Sequence, residues 1–235
     1  MSTQTIQKKT WYVNLLTSTL GRKFIMAGTG LFLVLFLAVH LIGNLQLLIP
    51  DEGKTFNEYA HFMGHNKFIQ AISVGNFFFI LLHIAYSFAL TRYNISARPQ
   101  QYAYAKTNNS SWTSRNMMIL GTLVLIFIVV HLQAFWAKSK FGGLEPISYN
   151  GVEHHNLYLA TKIAFAEWWI VLLYVVSMIA LAFHLSHGVA SAFQTLGLNH
   201  VKYTPLIKVF GYAFAIIVPF LFALIPVWMF IAQNM

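Results

Sequence analysis

Apolar and polar positions fall into long blocks along this chain. Five mainly apolar blocks, 24–49, 68–91, 117–137, 163–193 and 205–232, are separated by short segments rich in Asn, Ser, Gly and Pro. A helix needs about 20 mainly apolar residues to cross the hydrocarbon of a bilayer, so each block predicts one spanning helix. The fourth is long enough to tilt or to run past the hydrocarbon at one end. No connection, such as those at Arg98-Pro99 and Gly142-Gly143, is large enough to be a domain, and no internal repeat is visible. The pattern predicts an all-α membrane protein: a five-transmembrane-helix bundle forming a single domain over 1–235.

Composition strengthens that expectation. Hydrophobic residues make up 57% of the chain and charged residues 9%, against about a quarter charged in a soluble domain. The net charge of +9 is scattered through short segments, with no basic tract or RNA-binding signature, so no nucleic acid is expected. There is no cysteine, which excludes disulfides, cysteine-held iron–sulfur clusters and covalently attached haem in this chain. The first apolar block is too long for a signal-peptide core and reads as a retained span.

Charge also gives a direction. Lys8, Lys9, Arg22, Lys23, Arg92, Arg98, Lys106, Arg115, Lys202 and Lys208 fall on one side. The other side has Lys54, Lys67, Lys138, Lys140 and Lys162 and all six acids, Asp51, Glu52, Glu58, Glu145, Glu153 and Glu167. Basic residues near span ends favour the cytoplasm, so the N-terminus is expected to be cytoplasmic and the C-terminus external. Trp11, Trp112, Trp136, Trp168, Trp169 and Trp228 lie near span ends, as interfacial anchors do; plain aromatic packing reads nearly as well for each. The stretch Ile6–Leu20 reads either as an amphipathic helix on the cytoplasmic surface or as a free tail.

Within the spans, histidine is the informative residue, because an imidazole in lipid is costly without a partner. At about 1.5 Å per residue, His40 lies roughly 24 Å from the cytoplasmic start of its span and His131 roughly 21 Å from the same side. His83 and His184, on spans that run the other way, come out near the cytoplasmic face. Two levels follow, His40 with His131 and His83 with His184. A pair of imidazoles can fill both axial positions of a haem iron, leaving no open site and making electron transfer its natural work. Gly43, Gly188 and Ala85 are small residues near these histidines that would let a flat ring approach. His187, three residues after His184, projects to a similar sector of the helix and reads as a ligand, a propionate or quinone contact, or packing. His61, His65, His154, His155 and His200 fall in connecting segments and read as solvated, with His154-His155 able to scavenge a metal in vitro.

Four stretches carry a resemblance: Phe36-Leu37-Ala38-Val39-His40, Leu81-Leu82-His83-Ile84-Ala85-Tyr86, Ile128-Val129-Val130-His131, and His184-Leu185-Ser186-His187-Gly188 running on to Leu196-Gly197. With one histidine per helix in this order, the chain resembles the five-helix, di-haem cytochrome b membrane anchor subunit of succinate dehydrogenases and fumarate reductases. The resemblance implies two haem b groups, the distal one on His40 and His131 and the proximal one on His83 and His184, with His184 rather than His187 at the ligand position. It implies a multi-pass place in the bacterial inner membrane, and a flavoprotein subunit with FAD and an iron–sulfur subunit docked on the cytoplasmic face. Electrons would pass between those partners and menaquinone in the lipid, with dicarboxylate chemistry belonging to the tricarboxylic acid cycle left to the partner subunits. Whether the complex forms a dimer stays open. An acid two residues before the span-four ligand is tied to proton movement in the family's fumarate reductases; Ala182 stands there, so the resemblance does not carry that acid-dependent route over and leaves proton movement open. Glu58 is the candidate for the family's quinone-site acid, with Glu52 and Asp51 as alternatives, and it reads more readily as a solvated loop acid; Asn44 and Gln46 read equally as hydrogen-bond donors to a quinone carbonyl or as bonds to neighbouring helices.

Two other readings compete. The cytochrome b subunit of nitrate reductases also has five spans, but with two ligands on each of two helices, a spacing absent here. The second is a non-redox transporter or anchor whose histidines relay protons or tie helices together.

Overall fold

The computed structural model describes residues 10–97 and 111–235. Lys8, Lys9, Arg98 and Lys106 of the charge count, and the Arg98-Pro99 connection, lie outside the described residues. The protein is mostly helical, and five helices are long and apolar enough to cross a membrane, which makes it a multi-pass membrane protein. These are α2 (Thr19–Leu45, extended by a 3-10 turn at Gln46–Leu48), α4 (Lys67–Ser96), α6 (Met117–His131, continued to Phe141), α9 (Trp168–Thr195) and α10 (Thr204–Asn234). Short helices flank them: α1 (Trp11–Thr17), α3 (Lys54–His65), α5 (Trp112–Arg115), α7 (Lys138–Phe141) and α8 (Leu157–Phe165).

Local chemistry explains where the helices start and stop. Ser18 turns the chain between α1 and α2 and accepts from Gly21 N–H, while Asn66 accepts from Phe68 N–H and Ile69 N–H at the start of α4. At the end of α9, Gly197 takes a left-handed φ of 78° and Leu198 N–H bonds Phe193 C=O, the αL termination that glycine permits.

Two boundaries differ from the apolar pattern. The block 163–193 is not one helix: α8 ends at Phe165, Glu167 is extended (φ −89°, ψ 111°), and α9 begins at Trp168. Hydropathy does not register such a break, because Ile163 and Phe165 are as apolar as the residues of α9. Nor is the chain purely helical. Strands β1 (Pro146–Tyr149) and β2 (Val152–His155) pair antiparallel, Ile147 opposite His154. Their two-residue turn, Asn150-Gly151, has positive φ at both positions (52° and 80°), as the right-handed twist of a hairpin favours. That Asn-Gly pair was a readable hairpin signal.

Helix α9 is the hub. It packs along α10, α2 and α6, while α2 packs along α4 and α10. The helices α2, α4, α6 and α9 thus form a ring with α10 outside it. Among the described residues, neither diagonal, α2 with α6 or α4 with α9, is in extended backbone contact. Helices α4 and α6 meet through side chains, Thr91 with Met118 and Phe77 with Trp136. Each buries a single residue, Asn76 on α4 and Leu120 on α6. Packing is concentrated instead on α9 and α10, around Met178, Leu181, Leu185, Val189 and Ala215. A second cluster, with Leu47, Phe56, Phe165 and Tyr174, closes the end that carries α3 and α8. Large apolar side chains such as Leu35, Val74, Ile119 and Phe220 point outward, where lipid rather than water is the matching solvent. All six tryptophans are exposed on the bundle surface.

Candidate site: two histidine pairs across the bundle

The four histidines come together in two pairs, and each pair spans one diagonal of the ring. His40 on α2 and His131 on α6 hold their ring centroids 5.8 Å apart at 84°. His83 on α4 and His184 on α9 hold theirs 6.4 Å apart at 65°. Two imidazoles that bind one iron from opposite faces, each nitrogen about 2 Å from the metal, place their ring centroids about 6 Å apart. Both pairs therefore have the centroid separation expected of two imidazoles that share one metal.

Neighbouring side chains fix the rings. Phe36 stacks on His40 (5.2 Å, 14°) and Phe127 on His131 (5.5 Å, 29°), each from one helical turn earlier. The spacing Phe-x-x-x-His in both helices is a sequence signal for these ring positions, and only the structure makes it readable. The Thr29 hydroxyl donates to the Ile25 carbonyl (2.9 Å) and lies 3.1 Å from His83 Nδ1. When the hydroxyl hydrogen goes to that carbonyl, the oxygen is free to accept from Nδ1–H, the tautomer that keeps the His83 lone pair on Nε2. Tyr174 Oη lies 3.1 Å from His131 Nδ1. Asn44 donates to the His40 carbonyl at 2.7 Å, with the same amide nitrogen 3.3 Å from His40 Nδ1. At His184, Nδ1 is buried and has no hydrogen-bond partner among the described residues.

Thr29 and His40 are eleven residues apart on α2, and Tyr174 and His184 ten apart on α9, so each helix separates the two levels by about 15 Å. The levels are linked crosswise: each of these helices supplies a paired histidine at one level and a supporting hydroxyl at the other.

The small residues beside the rings are not the expected ones. A Cβ on Gly43 would meet Tyr59 Cε1 at 2.6 Å, and one on Gly188 would meet Met117 at 3.8 Å, so both serve close packing between elements; Ala85 is exposed. The glycines that border the histidines are Gly30, whose Cβ would lie 3.4 Å from His83 Cε1, and Gly121, 3.6 Å from His184 Cε1. Each sits on a helix other than the one bearing its histidine, which no pattern within one span reveals.

The remaining candidates separate. His187 lines an open groove of about 1060 Å³ between α5, α9 and α10, together with Trp112, Ala182, Ser186, Lys208 and Tyr212, and it is His184 that faces His83. Asn44 is engaged by His40, whereas the Gln46 side-chain oxygen is buried without a partner among the described residues. Glu58 stands on the exposed face of α3, 4.0 Å from Lys54 in an i,i+4 pair. Asp51 accepts from Gly53 N–H, Thr55 N–H and the Thr55 hydroxyl at the start of α3, while Glu52 is exposed at a left-handed φ of 55°. The expectation that the loop histidines are all solvated fails for His154, which is 8% exposed because β2 turns it toward α3. No family model, curated protein or solved structure matches the chain.

Proposed function

We propose that the chain is the di-haem cytochrome b anchor of a succinate:quinone or quinol:fumarate oxidoreductase in a bacterial inner membrane. It carries electrons between iron–sulfur and flavoprotein subunits on the cytoplasmic face and menaquinone in the lipid. One observation carries this reading: two histidine pairs cross the two diagonals of one four-helix ring, with ring centroids 5.8 and 6.4 Å apart. Haem b, when bound, would supply one-electron chemistry. His40 and His131 would hold one group and His83 and His184 the other. The Thr29 hydroxyl would orient His83, and the Tyr174 hydroxyl His131, each from an adjacent helix. Gln46, just beyond His40 on the same helix, offers a buried amide for a quinone carbonyl. The orientation with α5 at the cytoplasmic end rests on the basic residues near the span ends.

The test is haem content. Chain purified from its membrane should show b-type absorption with about two haems per chain and should bring FAD and iron–sulfur subunits with it. A colourless, folded chain would refute the reading.

The same bonds favour a second reading, in which His83–Thr29 and His131–Tyr174 tie helices together without any cofactor. That reading gives no role to the matched spacing of the pairs.

A further inference from the structure

The end of the bundle that carries α3 and the hairpin gathers three imidazoles from two elements. His61 and His65 lie one turn apart on α3, their rings stacked 4.0 Å centroid to centroid at 20°. His154, on β2, reaches to 4.5 Å from His61. Its ring is more than nine-tenths buried (8% exposed), and Nδ1 has no hydrogen-bond partner among the described residues. A buried polar nitrogen without a partner is costly, so this one calls for a ligand that the protein does not supply.

The donor chemistry is suitable. His65 Nδ1 lies 2.8 Å from the His61 carbonyl, which can only accept, so Nδ1 carries the proton and Nε2 keeps the lone pair. Anchoring one ring nitrogen to a carbonyl is the usual support of a metal-binding histidine. Histidines at i and i+4 share one helix face, the spacing that helical zinc sites use. Burial, and then the nearby His65, His154 and His155, hold the His61 pKa below its ordinary 6.5, which keeps the ring in its neutral, metal-binding form.

We propose that His61, His65 and His154 form a site for a divalent transition-metal ion of the zinc type, which clips α3 to β2. The rings now lie against one another, and among the described residues no three ligand-type side chains already surround a common point. Histidine χ2 is a broad, soft torsion. Since α3 and β2 already pack together, the site closes by ring rotation rather than by backbone movement. Imidazole donors select zinc, copper or nickel over magnesium and calcium. The site stands apart from both histidine pairs and does not depend on the haem reading.

The experiment is a zinc chloride titration of the full-length chain in detergent, with any affinity tag removed, by equilibrium dialysis and thermal melting. Wild type should bind about one ion per chain, with a higher melting temperature in zinc and none of this in magnesium. His61→Ala and His154→Ala should weaken zinc by more than about tenfold, beyond the loss from an outer-sphere change. His155→Ala, on the opposite face of β2, should bind as wild type. His65→Ala removes a donor on the exposed side of α3 and decides the matter where His154→Ala fails to fold. Absence of zinc binding by the wild type, or wild-type affinity in His61→Ala and His65→Ala, overturns the proposal.

Discussion

The hydroxyl of Tyr174 on α9 lies 3.1 Å from Nδ1 of His131 on α6, and the bond has a counterpart at the other level, where Thr29 of α2 stands 3.1 Å from Nδ1 of His83 on α4. Each pair of histidines is thus steadied from a helix that belongs to the other pair. A disturbance at either supporting residue acts on one level only, since the levels are about 15 Å apart along the helices.

Tyr174→Phe keeps the ring that packs on Phe127 and Phe165 and removes only the hydroxyl. Outer-sphere partners of metal-binding histidines are worth about 10–100-fold in affinity. On the proposed di-haem reading, haem at the His40/His131 level should transfer faster to an acceptor protein and show a shifted midpoint potential, while the other level stays unchanged. Identical shifts at both levels would show that the crosswise arrangement is irrelevant.

Single replacements test the pairing. His40→Ala and His131→Ala should each lose the same haem, and His83→Ala and His184→Ala the other, so that each retains about one haem per chain. His187→Ala should retain both, because its ring lines the groove between α9 and α10 instead of facing His83. Pyridine haemochrome counts and the two resolved spectra check this. A full haem complement in His184→Ala transfers the ligand role to His187.

Asn57 holds the α3 end together. It is fully buried, its amide donates to Tyr149 Oη and Asn156 Oδ1 (3.2 Å each), and its oxygen accepts from Tyr158 N–H at 2.9 Å. Asn57→Ala leaves buried groups unsatisfied at about 1–3 kcal/mol each. Melting should fall by several degrees and proteolysis of the β1–β2 region should quicken, with haem at the His83/His184 level retained.

Acid should loosen the same end. His61 has its pKa lowered from 6.5 by burial and by the neighbouring histidines. The unfolded chain then binds the proton more readily than the folded one. Stability from this group is complete above pH 6.5 and declines as pH falls below it. Asp51, whose carboxylate is disfavoured by burial but more strongly favoured by its hydrogen bonds from Thr55 and Gly53, adds a second loss only below its ordinary 3.8. Corrected for the intrinsic pH dependence of exchange, the opening of α3 amides should rise from pH 8 to pH 5 in wild type and stay flat in His61→Ala. Equal rises in both would remove His61 from the account.

The five spans were legible from hydropathy alone, because a run of some 20 apolar side chains has few other places to go. The pairing of His40 with His131 and of His83 with His184 was legible too, since helical rise is constant and each span holds its histidine in a uniform apolar stretch. Hydropathy could not show the break at Glu167, which depends on one extended residue between two equally apolar helices. The Asn150-Gly151 hairpin was written in the chain, but a four-residue strand is lost beside the signal of the spans. The contacts across helices belonged to the tertiary structure. Gly30 beside His83, Tyr174 beside His131 and His154 against His61 each join residues far apart in sequence. Periodicity states which face of a helix a residue occupies; only packing, which sets the rotation of each helix against its neighbours, decides what that face meets.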